Sequence, residues 1–418
     1  MASQLLSAHG CGRATAYPQE NKIVTLDDRV HVAWLDSAAD GFRVRIRTLD
    51  RGSGSWSETH TIGEAYDNHG GPSLVCDSQG YLHVAYYPHH HAIRYRRSVR
   101  PNDASEWSDE ELIGDGYSYP KLAVGRDDEL LLSCRSSFLT RERRLGHERP
   151  WDLHLLRKSA GGSWREPLVL ASSRHPNYAH FGDSYAWAPD RVGLHMAIRF
   201  HEKSDAEAYG RIQTVGYLFS PDAGRTWQRS DGTQVALPVT AETVDVIAAG
   251  GLDYGSALQA GALAVAPDGT PWLVHNEWSG GVGTNTLCTP AGDGSWRRIV
   301  LNEQVELEPG RCFGLAPSVV FDASGRLVGV ATTEDAADKA PWGHPASEVV
   351  RFESTDGGAS FTMEQVSTTD PDTAHWFPHI ERPLGIVPPP ASPGILYQEG
   401  PAGDGLMDVL TNRVIWVQ

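Results

Sequence analysis

Short apolar runs rich in β-branched and aromatic residues recur along the chain, each after a turn built from Asp, Gly, Ser or Pro. Seven stand out, at 30–34, 81–87, 130–135, 193–200, 272–275, 327–331 and 394–397. Before the turns lie further apolar runs, among them 73–76, 122–124, 262–266 and 318–321. Strand, tight turn, strand is the signature of a β-hairpin. A third strand is predicted in each unit, at 43–48, 93–98, 153–158, 215–220, 285–290, 348–354 and 412–417. Most units then meet a Gly/Ser/Asp turn that closes on an aromatic residue: Trp56, Trp107, Trp164, Trp227, Trp296 or Phe361. Helical periodicity is absent.

Seven units of this kind predict an all-β fold, a seven-bladed β-propeller of four-stranded antiparallel blades forming one domain over 1–418. The chain ends in a third-strand-like segment, so the N-terminus is expected to supply the fourth strand of that blade. Two turns, Ser220 to Trp227 and Ser354 to Phe361, resemble the Asp-box of sialidase-type propellers. They are expected to shape hairpins and to take no part in chemistry.

In such a blade, residues just before the first strand and just after the second meet at one mouth of the channel, where function is expected. The second unit brings Asp67-Asn68-His69 and Pro88-His89-His90-His91 there, and the third brings Tyr117-Ser118-Tyr119-Pro120 and Arg135. The fourth offers Tyr178, His180, Asp183, Arg199 and His201, and the fifth His275 and Trp278. The loop Arg141-Glu142-Arg143-Arg144 falls on the same side, and the remaining units add little beyond His375 and His379.

Composition sharpens this picture. The chain has 53 acidic and 36 basic residues, a formal charge of −17, which disfavours nucleic acid as a partner. A mouth rich in His, Tyr and Arg on so acidic a protein suits an anionic ligand and proton transfer. Each residue also has a plain structural use, as a hydrogen-bonded turn histidine, a packed tyrosine or a paired arginine. Five scattered cysteines without a CxxC pair argue against a disulfide framework or a zinc ribbon and favour a reducing compartment. No apolar run is long enough to span a membrane. Met1 to Arg13 lacks the basic and apolar regions of a signal peptide. A secreted protein without its leader would read the same, so localisation stays open. The default expectation for oligomeric state is a monomer.

Around these residues the sequence resembles the BNR-repeat polysaccharide lyases, in particular the propeller-built ulvan lyases. The matching features are Asn68-His69-Gly70-Gly71-Pro72, Asp77 to His83, Pro88 to His91, Arg94 to Ser98, and Tyr119-Pro120 with Arg135 sixteen residues after Tyr119. The resemblance is strongest over 60–140. It implies β-elimination at a uronic acid within an anionic polysaccharide, carried by His69, Tyr119 and Arg135, with His89 as a second histidine. His90, His180, Tyr178, Arg199, His275 and Trp278 are the expected substrate-binding residues.

The chemistry can be stated without the family. Removing the C5 proton of a uronate requires its carboxylate charge to be neutralised, and a guanidinium can do so bidentately. A neutral imidazole can take the proton, and a phenol can protonate the departing O4. The sequence leaves open which of His69 and Tyr119 takes which role. No metal or cofactor is required for these steps. Three adjacent histidines on an extended strand would point to alternate sides and could not all hold one ion. A structural ion site built from distant His or Cys is not readable. Trp187 and Trp278 could stack on sugars, though core packing is the expectation for each.

Other readings have definite signatures. A rhamnose–glucuronate lyase would also eliminate, whereas an α-L-rhamnosidase would hydrolyse and leave no conjugated product. A carbohydrate-binding propeller would bind without turnover. A sialidase needs an arginine triad, a Tyr–Glu pair and an acidic proton donor, a set that this mouth does not provide.

Overall fold

In the computed structural model, which describes residues 3–137, 151–174, 178–203, 211–250, 257–314, 317–336, 343–385 and 387–418, regular structure is almost entirely antiparallel β-sheet. The hairpins expected from the apolar pattern are present. Ser73–Cys76 pairs with Leu82–Tyr86, Ser318–Phe321 with Leu327–Asp335, and Ala179–Trp187 with Leu194–Lys203. The expected third strands follow, with Glu348–Ser354 and Asn412–Val417 matching their expected bounds. The N-terminal strand Ser3–Gly10 pairs antiparallel with Asn412–Val417, Ser3 opposite Val417 and Leu5 opposite Ile415. Both ends of the described chain therefore share one sheet.

The two turns Ser220 to Trp227 and Ser354 to Phe361 use one hydrogen-bond scheme. In each, the first Ser Oγ accepts from a glycine N–H, at 2.6 Å from Gly224 and 2.9 Å from Gly358. The Asp two residues after that Ser accepts two successive backbone N–H groups, those of Arg225 and Thr226 or of Ala359 and Ser360. A carboxylate that gathers the N–H groups of its own turn stabilises that turn. Large aromatic side chains fill the space between sheets, with Trp34, Trp227, Trp376 and Trp416 fully buried. Gly394 lies so close to Trp416 that a Cβ would stand 1.8 Å from the indole, so only glycine fits.

First strands touch their neighbours in order along the chain. The Leu74 N–H donates to Asn21 O, the Leu122 N–H to Ser73 Oγ, and the Leu263 N–H to Ser184 Oγ. Lys121 pairs with Asp183 at 2.6 Å, and Ala262 bridges to Ser318. Ser318–Phe321 packs on His375–Ile380, and Thr15 Oγ1 donates to Phe377 O. At the end opposite Tyr119, the proline-rich stretches 383–385 and 387–390 meet several of the turns. Leu384 O accepts from Val124 N–H, Pro390 O accepts from Ala323 N–H, and Arg191 donates to the carbonyls of Gly385 and Val387.

Two expectations are corrected. The sequence places Tyr117 to Pro120 just before the first strand of the third unit, in a short connection from the second. Instead, one strand, Glu111–Val124, runs through both and joins them into a seven-stranded sheet. Positive φ at Gly114 (56°), Gly116 (70°) and Tyr119 (56°), with register shifts beside them, bends the strand without ending it. The histidines after Pro88 were expected to alternate in direction on an extended strand. His89–Arg97 is a strand, but His90 has φ 65°, and this kink brings the His89 and His90 rings face to face at 4.5 Å.

Candidate active site

A cavity of about 420 Å³ opens where the expected mouth lies. The segment between Ser3–Gly10 and Ile23–Leu26 forms one wall and presents Arg13 and Tyr17, which hydrogen-bond to each other at 2.7 Å. Its place is fixed from several sides. Ala14 O accepts from Leu35 N–H, and the Thr15 N–H donates to Gln398 Oε1. His69, Tyr119, Tyr178, His180, Arg199, His201, Lys203 and Gln259 line the rest, with Phe377 and Pro378. Arg199, His201 and Lys203 fall at every second position of Leu194–Lys203, so one face of that strand points two cations and an imidazole into the cleft.

Three non-glycine residues of this lining hold positive φ: Tyr17 (65°), Tyr119 (56°) and Phe377 (51°). Left-handed backbone costs such residues about 1 kcal/mol each, and strain of this kind gathers where function fixes a side chain's direction.

Asp67 organises the histidines. One of its oxygens faces His69 Nδ1 at 3.2 Å, and the other faces His89 Nδ1 at 2.5 Å. The His69 backbone N–H also donates to Asp67, at 2.7 Å. The two imidazoles stack, centroids 4.2 Å apart. Burial raises the Asp67 carboxyl, but the hydrogen bonds from both histidines outweigh it and hold the group well below the usual carboxylate range. Burial lowers His69 to about 4, with Arg13 adding repulsion against the charged form, so the imidazole is neutral at pH 7. Tyr119 moves the other way. Burial pushes it up to about 12 despite Arg135 and Arg13 nearby, so its phenol keeps its proton.

His69 and Tyr119 meet at the same wall, ring centroids 6.0 Å apart and edge to face. Rings at that separation are already in contact, which leaves no room for a sugar between them. A sugar ring would lie over the pair. The Tyr17 ring is 4.9 Å from Tyr119, and His180 packs edge-on against it at 4.7 Å.

Of the four residues given proton-transfer and carboxylate roles, His69 and Tyr119 line the cleft, while His89 and Arg135 stand behind them. Arg135 is fully buried, enclosed by Tyr119, Trp151 and Tyr178 with its guanidinium carbon 4.7, 4.8 and 5.5 Å from their ring centres. It donates to Ala179 O and to the hydroxyls of Tyr178 and Ser118. A place directly on a substrate carboxylate is corrected accordingly, because three aromatic rings cover the guanidinium.

Of the expected substrate-binding residues, Tyr178, His180 and Arg199 reach the cleft, and Arg199 donates to Gln259 there. His90 lies outside it, bonded to Ser137 Oγ and edge-on to Trp151. His275 and Trp278 also lie outside the lining, on the strand Pro271–Ser279. His275 is buried and neither ring nitrogen has a hydrogen-bond partner. Trp187 packs in the core at the opposite end. Arg141 to Arg144 lie outside the described residues.

Arg13, Tyr17, Lys203 and Gln259 were missed as candidates, and Asp67 was placed at the mouth without a role. The rule that located Tyr119, residues just before a first strand, also covers Arg13 and Tyr17 once applied to the segment before Ile23. Among the described residues, Asp67, His69 and His89 form one group whose donor atoms could converge on an ion, all within 4.8 Å of one another. In the structure those donors serve one another as hydrogen-bond partners.

Known proteins bear on this geometry. The profile of the BNR repeat-containing family matches residues 29–304. An ulvan lyase of Pseudoalteromonas sp. (strain PLSV) is 26% identical over 232 residues, 49% of this chain and 43% of that protein. An ulvan lyase of Nonlabens ulvanivorans is 23% identical over 273 residues, 54% of this chain and 56% of that protein. The chain thus spans about half the length of the curated relatives it matches. Among solved structures, a PL25 ulvan lyase bound to -[GlcA(1-4)Rha3S]- superposes with a TM-score of 0.72 at 16% identity, covering 98% of this chain and 94% of that one. The polysaccharide lyase Uly1 gives 0.62 at 12% identity, covering 100% and 99%. Both likenesses are of fold.

Proposed function

The chain belongs to the BNR repeat-containing family, and from that premise we propose that it is a polysaccharide lyase acting on an anionic, uronic-acid-containing polysaccharide by β-elimination. The observation that carries this reading is a neutral imidazole and a protonated phenol in edge contact, facing a cleft whose walls bear arginines. His69 Nε2 takes the C5 proton of the uronate. The C5–H electrons form the C4–C5 double bond, the C4–O4 bond breaks, and Tyr119 gives its proton to O4. Asp67 holds the Nδ1–H of His69 and so keeps the Nε2 lone pair on the cleft side. His89, sharing the same carboxylate, fixes Asp67 and the stack.

Stabilising the enolate-like state falls to the guanidinium groups of Arg13 and Arg199 at the cleft wall. Arg135 is a positioning residue, a fixed positive charge under Tyr119. No step as written draws on a metal or cofactor. The relatives' names support an ulvan-like polymer of rhamnose and glucuronate as substrate.

We also infer that the sheets form seven four-stranded blades of one propeller spanning 1–418. The neighbour-to-neighbour contacts of the first strands, from Asn21 with Leu74 round to Phe377 with Thr15, support that count.

The test is incubation with ulvan, glucuronan, gum arabic and glycosaminoglycans, followed at the absorbance of unsaturated uronates. Rising absorbance with new reducing ends is expected on at least one polymer. New ends without absorbance would replace the reading with hydrolysis, and binding without either would make this a carbohydrate-binding propeller.

A further inference from the structure

Arg13 is placed where it would obstruct the reaction just described. Its guanidinium lies 2.6 Å from His69 Nε2, the nitrogen that must take the proton. Guanidinium groups only donate, so Nε2 must be the acceptor in this contact, and the ring proton must sit on Nδ1, facing Asp67. Two independent partners therefore select the same tautomer. The consequence is that the base's lone pair is occupied in this structure.

We propose that Arg13 is a substrate-released cap on His69: the uronate carboxylate draws the guanidinium away, and that movement both uncovers Nε2 and neutralises the carboxylate. The inference rests on the lyase reading of this cleft. Its physical basis is the difference between the two partners. A guanidinium bonded to a neutral imidazole makes one ion–neutral hydrogen bond, whereas a carboxylate offers a charge-assisted, bidentate one. The same Arg13 nitrogen also donates to Tyr17, at 2.7 Å, so the swing off Nε2 draws on that bond too, and with its segment held by Leu35 and Gln398 the exchange needs only side-chain rotation. The balance is simple. One Arg13–imidazole hydrogen bond is exchanged for Arg13–carboxylate bonds, and the freed lone pair accepts the C5 proton. A sugar without a free carboxylate has nothing to draw the cap off, so the device selects for the charged uronate.

Two measurements test it. The first compares glucuronan with its methyl ester as substrates for the wild type and Arg13→Ala. The wild type should discriminate strongly against the ester. In Arg13→Ala, kcat/KM on the free acid should fall at least tenfold while activity on the ester rises above the wild type's. A gain on the ester is not what a loss of structural support would produce, and its absence in a folded variant would overturn the cap. The second follows the His69 ring nitrogens in wild-type protein labelled with ¹⁵N-histidine. Free D-glucuronate should move the Nε2 resonance, and methyl glucuronate ester should leave it in place.

Elimination on a uronate polymer with no glucuronate-dependent shift would remove the cap and leave the lyase reading standing. A glucuronate-dependent shift with no elimination on any polymer would retain the cap and remove the lyase. Absence of both would remove both.

Discussion

Arg135 lies directly beneath Tyr119, its guanidinium carbon 4.7 Å from the phenol ring centre, with no path of its own to the cleft. The pair divides two tasks that the sequence alone would give to residues meeting the substrate together. Tyr119 reaches the cleft, and Arg135 supplies a fixed charge and a scaffold through Ser118, Tyr178 and Ala179.

This arrangement predicts a particular kinetic outcome for Arg135→Lys. Lysine keeps the charge but loses the planar fork that spans three acceptors and stacks among three rings. We expect kcat to fall at least tenfold with KM changed less than threefold, because the bound sugar is never touched. Steady-state kinetics on the active polymer decide this. A large rise in KM with kcat preserved would put Arg135 on the substrate carboxylate after all.

The proton-transfer pair predicts larger effects. His69→Ala and Tyr119→Phe should each reduce kcat by at least the ~10²-fold typical of a lost acid or base. Circular dichroism should be unchanged for Tyr119→Phe, since the phenol is lost and the ring stays. Asp67→Asn should also lower kcat, because an amide cannot accept from both imidazoles and retain the same tautomers. His89→Ala should cost less than His69→Ala, since His89 does not line the cleft. Equal losses at the two histidines would make His89 a second base.

Much of this arrangement is legible in the sequence, and the reasons for the rest are local. Hairpins are legible because alternation and Asp/Gly turns are short-range signals, and the mouth is legible because strand order fixes which loops share an end. His69 and Tyr119 follow from that rule. The kink at His90 and the continuous strand Glu111–Val124 do not, because both depend on left-handed backbone at non-glycine positions that tertiary packing imposes. His275 and Trp278 lie on a strand outside the lining while the strand paired with it contributes Gln259 and Ala260, a choice between neighbouring strands that no short-range signal decides. The burial of Arg135 depends on Trp151, sixteen residues downstream in another strand's approach, which no local pattern announces.

The cationic face of Leu194–Lys203 predicts how the polymer is held away from the reacting centre. Lys203 and His201 line the cleft on the same strand face as Arg199 and are far enough along to meet a neighbouring sugar. Lys203→Ala should raise KM severalfold and leave kcat within twofold. The loss should shrink as salt rises from 50 to 500 mM (on the order of one Debye length falling from about 14 to 4 Å), because the exposed part of the attraction is screened. A loss independent of salt would point to packing.

Buried histidines set the response to acid. Burial lowers His31, His69, His195 and His275 to about 4 and His90 to about 3, and moves His180 and His379 well down. In the unfolded chain each titrates near 6.5. Between pH 6.5 and 4 the unfolded state therefore takes up protons that the folded state refuses, and stability must fall as pH falls through that window. Glu20 opposes them. Burial raises it to about 7 against 4.5 unfolded, so its contribution is present below 4.5 and is lost as pH rises to 7. Burial also raises Glu381 and Asp36, which act in the same sense as Glu20, but three opposing groups against seven histidines leave the histidines in control. Tm should drop steadily between pH 6.5 and 4, measured by scanning fluorimetry in buffers of constant ionic strength. His195 provides the internal check, since it bonds Tyr217 at 2.7 Å outside the cleft lining. In His195→Gln the slope of Tm against pH should become shallower with activity at pH 7 intact. A slope unchanged by that substitution would mean that His195 already takes up its proton in the folded state.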